Sequence, residues 1–133
     1  RLPVGRLDRD ALKYAPSHGG KGEVGSRKIW QAEDFRSNFG LLAHYLLPPD
    51  TSIGYHSHEG VEECYIIIGG SGRMTVDGET QEVSQWDAIP NKLSGSHGLY
   101  NHTQENLQLL LVAVCAEKGV FDCTDLGDDL SQR

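Results

Sequence analysis

The chain has 133 residues, which is the length of one domain with a single hydrophobic core. Hydrophobic residues make up 38% and charged residues 23%, so the composition is that of a globular protein and excludes a disordered chain. The 19 acidic residues outnumber the 12 basic ones, and the net charge of −7 argues against a nucleic-acid backbone or an anionic membrane as a partner.

Cysteine usage and hydropathy point to a soluble protein of a reducing compartment. No apolar run reaches the roughly 20 residues of a membrane span, and the chain begins without an apolar signal region. The three cysteines form no CxxC pair, so neither a disulfide framework nor a zinc knuckle is predicted. The cytoplasm is therefore the expected compartment.

Three parts follow one another along the chain. Residues 1–25 carry two prolines and five glycines, which predicts an irregular arm with a short helical turn near Asp8–Tyr14. Residues 26–119 contain the strand-like runs and are predicted to form the folded domain. Residues 120–133 are rich in aspartate, and we expect this C-terminal tail to be solvated and mobile.

The central part alternates short apolar runs with turn signals. The runs cover residues 26–32, 39–47, 53–58, 62–68, 73–76, 81–83, 87–89, 97–100 and 107–115. Asp77-Gly78 is a strong signal for a two-residue hairpin. So many short strands at this spacing predict an all-β sandwich or barrel.

Two histidines at the end of one strand are the first sign of chemistry. Strand side chains alternate between faces, so His56 and His58 point to the same side and one cation can contact both. A carboxylate, Glu62 or Glu63, opens the next strand, and His97 lies on a later one. Imidazoles with one carboxylate suit Fe, Mn, Ni, Co or Zn better than Mg or Ca, which prefer oxygen ligands.

The order of these residues resembles the cupins. Their first motif is HxH, three or four residues, Glu, six residues and Gly, and their second contains Pro and a later His-x3-Asn. This chain has the matching positions, which are His56, His58, Glu63 and Gly70, followed by Pro90, His97 and Asn101. The resemblance covers residues 38–116 and implies a double-stranded β-helix, or jelly-roll barrel, with the N-terminal segment as an extra strand.

The resemblance also implies a site and an assembly. Glu63 rather than Glu62 is the expected carboxylate ligand, because it directly precedes the apolar strand as in similar sequences. One divalent transition metal (Fe, Mn, Ni, Co or Zn) is then expected on His56, His58, Glu63 and His97. Similar small cupins pair their N-terminal segment across a dimer, so a homodimer is expected.

Strand alternation predicts which other side chains face the metal. If Glu63 points inward, Tyr65 and Ile67 do so as well. Tyr45 and His44 face opposite ways, and the preferred interpretation has Tyr45 in the cavity and His44 in a structural role. Tyr45 or Tyr65, or His44 if its strand has the opposite phase, is the candidate catalytic group for proton transfer, because few other inward positions are titratable.

Other polar residues have structural interpretations. Asn101 is expected to satisfy backbone groups, and Cys64 is expected to be a buried thiol, because it lies on an apolar strand without a local base. His18 and His102 lie in polar turn regions and are expected to be solvated.

These residues predict a metal-dependent enzyme acting on a small molecule that is apolar or aromatic, oxygenated and enolisable. The reaction is that of an oxygenase or of a non-redox cyclase, lyase or isomerase. No cation falls inward on the phased strands, and Lys28, Arg73 and Lys92 are the cations left for the cavity mouth. This disfavours small dianions and a first alternative, a sugar or sugar-phosphate isomerase. The second alternative is a non-catalytic ligand-binding cupin.

Overall fold

Two antiparallel β-sheets enclose the core in this computed structural model, which describes all of residues 1–133. The eleven strands are β1 Lys13–Ala15, β2 Val24–Gln31, β3 Phe39–Leu47, β4 Ser52–Ser57, β5 Val61–Gly69, β6 Ser71–Val76, β7 Glu79–Ser84, β8 Ala88–Asn91, β9 Ser96–Tyr100, β10 Leu107–Cys115 and β11 Thr124–Asp125. One sheet has the order β1-β2-β3-β10-β5-β8 and the other β11-β4-β9-β6-β7. The predicted all-β double-stranded β-helix is confirmed, and each predicted strand run coincides with a strand.

The core follows from strict alternation along the central strands. On β5 and β10, every second side chain is buried between the sheets, as in Tyr65, Ile67, Leu109 and Leu111. Fifteen buried residues drawn from both sheets form one cluster. Period-two burial of this kind fixes the strand register, because a slip of one residue would turn the apolar side chains towards solvent.

The predicted hairpin at Asp77-Gly78 joins β6 and β7. Asp77 has φ of 48° and Gly78 has φ of 83°, and Val76 pairs with Glu79 across the turn. Positive φ at both central residues is the type I′ geometry, whose twist matches that of the paired strands.

The helical elements are 3₁₀ turns of three residues, and none of them could span a membrane.

The N-terminal arm is more ordered than an irregular segment. A 3₁₀ turn occupies Arg9–Ala11, close to the predicted helical turn, and β1 pairs with β2 at the edge of the six-stranded sheet. The expected extra strand is therefore present within one chain. Its pairing across a homodimer stays a prediction.

The C-terminal tail is largely exposed, as expected, but part of it packs against the barrel, and its mobility stays a prediction. Thr124 and Asp125 form β11 on the edge of β4, and Leu130 is only 3% exposed. The acidic residues are engaged locally: Asp122 accepts hydrogen bonds from two backbone amides, and Asp129 caps the final 3₁₀ turn. Aspartate at a strand edge or an N-cap satisfies backbone donors, so aspartates can hold even a solvent-exposed segment in place.

Candidate metal centre and cavity

Two neighbouring strands of the five-stranded sheet bring three histidines together. His56 on β4 and His97 on β9 are directly paired, with ring centroids 4.6 Å apart. His58, just after β4, has its ring centroid 4.8 Å from that of His56. All three are at most 5% exposed. The same-face prediction for His56 and His58 is therefore confirmed.

The carboxylate reaches this group from the opposite sheet. Oε1 of Glu63 lies 3.0 Å from Nε2 of His97 and 3.3 Å from Nε2 of His58. Glu62, the alternative, is exposed and accepts a hydrogen bond from the backbone of Leu93. The structure thus brings together the four predicted residues and leaves Glu62 outside.

The second nitrogens of two rings are held by backbone carbonyls. Nδ1 of His56 donates to the carbonyl oxygen of Gly54 at 2.6 Å, and Nδ1 of His58 donates to that of Asp122 at 2.6 Å. A proton fixed on Nδ1 leaves the Nε2 lone pair of each ring available to a cation.

The arrangement fits a divalent cation. Nε2 of His58 and both ring nitrogens of His97 are buried and lack a hydrogen bond of good geometry. The four ligand atoms all lie within 4.8 Å of one another. Buried polar atoms normally have partners, and a cation bound to this group would provide them.

The ionised carboxylate and two of the three imidazoles have the charge state that suits a cation at neutral pH. Burial raises the pKa of Glu63, but its contacts with His58 and His97 outweigh burial and hold the pKa at about 2. Burial lowers the pKa of His56 to about 3 and also lowers that of His97. Burial acts in the same direction on His58, but its contacts with Glu63 and Asp122 outweigh burial and raise its pKa. An ionised carboxylate and neutral imidazoles are the forms that bind metal ions.

A cavity of about 480 Å³ opens beside this cluster. His58 and Glu63 line it, together with Tyr45 from β3 and Lys28 from β2. Lys28 is the one Lys or Arg side chain on the wall, in agreement with its place among the three cations left for the cavity mouth, whereas Arg73 and Lys92 do not line the cavity. Ser26 pairs with Tyr45 and Lys28 with Ala43, so regular alternation places Lys28 on the same face of the sheet as Tyr45.

The remaining candidate residues occupy different places. His44 does not line the cavity; it is 1% exposed and its Nε2 lies 2.9 Å from Oε1 of Gln108. Tyr65 is 1% exposed and packs against the His97 ring at 4.6 Å. Asn101 donates to the carbonyls of Leu47 and Glu105, as its structural interpretation predicts. Of the three candidates for proton transfer, only Tyr45 reaches the cavity.

His18 is the residue that the sequence interpretation missed. It was expected to be solvated, but its ring stacks on that of His56 at 3.7 Å and 11°, and it lines the cavity. The turn that carries it lies against β4, where a Cβ at Gly54 would overlap the His18 carbonyl oxygen. That glycine is the one sequence signal for the contact. Phe121, Asp122 and Cys123 of the C-terminal tail also line the cavity and were missed with it.

The chain belongs to the cupin family, because the family profile for the cupin domain matches residues 43–113, more than half of its length. Among curated proteins, the oxalate-binding protein of Thermotoga maritima is 32% identical over 96 residues. The match covers 72% of this chain and 79% of that protein.

Solved structures give the same fold. A predicted oxalate decarboxylase from Thermotoga maritima superposes with a TM-score of 0.80 and 29% identity, covering 84% of this chain and 98% of the other. The polyketide cyclase RemF from Streptomyces resistomycificus has a TM-score of 0.69 and 25% identity, covering 95% of this chain and 89% of the other. This chain is therefore similar both to an oxalate-related protein and to a cyclase.

Proposed function

We propose that this cupin is a metal-dependent enzyme acting on an enolisable, oxygen-bearing molecule with an apolar or aromatic part. One observation carries the proposal: a buried cluster of three imidazoles and one carboxylate adjoins a cavity of about 480 Å³. Cavities of several hundred Å³ are typical of small-molecule sites. The proposed ligands of one Fe, Mn, Ni, Co or Zn ion are His56, His58, Glu63 and His97.

The cavity wall suits a molecule with an apolar skeleton and polar substituents. Leu41, Leu111 and Phe121 are among its lining residues and would bury carbon atoms of the substrate. Gln31 and Lys28 also line it and offer hydrogen-bond donors to oxygen atoms. The open side of the cluster, where substrate approaches, is the side of His58 and Glu63.

Tyr45 is the proposed proton donor. Burial and the nearby charge of Glu63 raise its pKa, so its phenol stays protonated at neutral pH and can donate to a substrate oxygen. A bound divalent cation would supply Lewis acidity at the carbonyl or enolate oxygen. Tyr65 lies behind His97 and is proposed to position that ring.

The relatives favour non-redox chemistry. The polyketide cyclase RemF is similar over 95% of this chain, which supports the cyclase branch of the proposal over the oxygenase branch. Cyclisation of an enolisable ketone needs polarisation of a carbonyl and a proton donor. In this proposal the metal-loaded cluster polarises the carbonyl group and Tyr45 donates the proton.

Elemental analysis of protein purified without added metal tests the metal site. We expect about one transition-metal ion per chain, and a sharp loss of metal in Glu63→Gln and His97→Ala. Glu62→Gln is the matched control, because Glu62 is exposed and lies outside the cluster. Full metal retention in Glu63→Gln, or loss in Glu62→Gln alone, would contradict the ligand assignment.

Turnover assays test the enzymatic part. Enolisable aromatic polyketones and β-diketones should be screened with the protein loaded with Fe(II), Ni(II), Mn(II) or Zn(II). We expect Tyr45→Phe to keep its metal and lose about 10²–10⁴-fold in kcat, while Tyr14→Phe, on a residue outside the cavity, keeps full activity. No turnover of any compound with any of the four metals would favour the non-catalytic ligand-binding cupin.

A small carboxylate is the second candidate ligand. The 32% identical relative is an oxalate-binding protein, and Lys28 is a cation on the cavity wall. Calorimetric titration of the metal-loaded protein with oxalate tests this alternative. Oxalate should bind at least about tenfold more weakly to Lys28→Gln, and equally well to Lys92→Gln, whose residue lies outside the cavity. Absence of any heat of oxalate binding would exclude this alternative.

A further inference from the structure

A second group of ligand-type side chains lies next to the candidate metal centre. Nδ1 of His18 is 3.0 Å from Oδ1 of Asp125 and 3.1 Å from Sγ of Cys123, and Sγ lies 3.5 Å from the same Oδ1. Ligand atoms bonded to a tetrahedral Zn²⁺ at about 2.0–2.3 Å are separated by about 3.3–3.6 Å. The three atoms are thus within a few tenths of an ångström of the spacing that one such cation requires.

We propose that His18, Cys123 and Asp125 bind a second divalent cation of the Zn²⁺ type, separate from the four-residue cluster. Imidazole, thiolate and carboxylate are the three ligand types of protein zinc sites. A thiolate and a carboxylate together carry two negative charges, which neutralise a divalent cation. On binding, the cation displaces the thiol proton of Cys123, which leaves to solvent.

The fold brings these residues together at one edge of β4. Ser17 forms a parallel bridge with Ile53, and Asp125 pairs with His56 three residues further along the same strand. The N-terminal arm and the C-terminal tail therefore occupy successive lengths of this edge and meet at the proposed site. Main-chain pairing on both sides holds the ligand-bearing segments before any cation binds.

The proposed site is linked to the first one and is accessible. The His18 ring stacks on His56, and both His18 and Cys123 line the cavity. Three protein ligands leave one position of a tetrahedral cation for water or another small ligand, as in catalytic rather than closed structural zinc sites. The thiolate distinguishes the two sites, because the four-residue cluster contains only nitrogen and oxygen ligands.

Titration of the metal-free protein with Co²⁺ tests the proposal, because a thiolate bound to Co²⁺ gives a near-ultraviolet charge-transfer band that imidazole and carboxylate do not. We expect two Co²⁺ ions per chain by equilibrium dialysis, one of them accompanied by this band. Cys123→Ser should remove the band and leave one bound Co²⁺ ion per chain. Asp125→Asn should lower the affinity for the second Co²⁺ ion at least about tenfold. Cys64→Ser is the control that keeps both.

The four-residue cluster provides an independent check. Glu63→Gln should lower the affinity for the ion at the four-residue cluster and leave the thiolate band unchanged. Loss of binding at one site can therefore be told apart from loss of binding at the other. Zn²⁺ should also slow the alkylation of Cys123 by iodoacetamide, a measurement on the unmodified chain that needs no variant. Any of three results would overturn the proposal: binding of only one Co²⁺ ion per chain with no charge-transfer band, a band that remains in Cys123→Ser, or alkylation of Cys123 at the same rate with and without Zn²⁺.

Discussion

Substitution of Leu130 by Ala measures how firmly the C-terminal tail is packed. Leu130 is 3% exposed and forms a small cluster with Tyr55 and Tyr100 on the outer side of the five-stranded sheet. A Cβ at Gly98 would approach Cδ1 of Leu130 within 2.6 Å, so the side chain lies directly on the β9 backbone. The absence of a side chain at Gly98 creates the space that Leu130 fills.

The expected loss follows from the buried carbon atoms. Leu130→Ala removes three carbons, worth about 2.4 kcal/mol at about 0.8 kcal/mol per buried methylene. A residual cavity adds to this, and buried Leu→Ala substitutions cost about 2–5 kcal/mol in all. We expect the free energy of unfolding to fall by about 3 kcal/mol, which corresponds to a decrease in Tm of about 10 °C for a domain of this size.

Urea denaturation followed by tryptophan fluorescence is the assay, with Leu126→Ala as the matched control. Leu126 belongs to the same tail and undergoes the same chemical change, but it is 45% exposed. Leu126→Ala should lower the free energy of unfolding by less than about 1 kcal/mol. If both variants lose the same small amount, the tail does not contribute to the folded state and the packing argument is refuted.

Three further predictions concern metal removal, pH and the His18 turn. Chelation of the metal should lower Tm, because metal binding adds stability by mass action. The thermal transition should stay cooperative, because the hydrophobic core does not depend on the cation. A calorimetric scan of the chelated protein that shows no transition would contradict this. Hydrogen bonds from Lys21 and Tyr100 lower the pKa of Asp50 in the folded state. The ionised Asp50 therefore contributes to the free energy of unfolding at pH values above the ordinary carboxyl pKa, and this contribution is lost as pH falls through the folded-state pKa. The Tm difference between wild type and Asp50→Asn should therefore shrink in acid, and a difference independent of pH would count against the ion pair. Gly54→Ala should cost about 1–3 kcal/mol in urea denaturation, because its Cβ would overlap the His18 carbonyl oxygen; unchanged stability would mean that the turn moves freely.

The four residues of the candidate metal centre were predictable from local strand geometry for two of them and from the cupin motif for the other two. Alternation along one strand puts His56 and His58 on one face, and the cupin motif supplies the spacing to Glu63 and His97. Burial of Tyr65 and Ile67 follows from the same alternation on β5. Regular strands carry this information in the sequence itself, since each residue's face is set by counting from its neighbour.

The cavity wall was not predictable in the same way. His18 and Cys123, which both line the cavity, are 105 residues apart and lie outside the strands, so no periodic pattern links them. Lys28 lies on the same face as Tyr45, but the sequence alone did not give the pairing of β2 with β3 that shows this. The tail was judged by its net charge, whereas Asp122 uses its carboxylate to bind the backbone amides of Glu59 and Gly60.

The C-terminal tail connects stability to the candidate site. Asp122 fixes the tail to the loop after β4 through its carboxylate, and its carbonyl oxygen accepts the Nδ1 proton of His58. Three residues later β11 pairs with β4, and Leu130 anchors the end of the chain. The orientation of His58 therefore depends on a segment outside the cupin-domain match at residues 43–113. A barrel lacking this tail would keep the four ligand-type residues but lose the group that directs one of them.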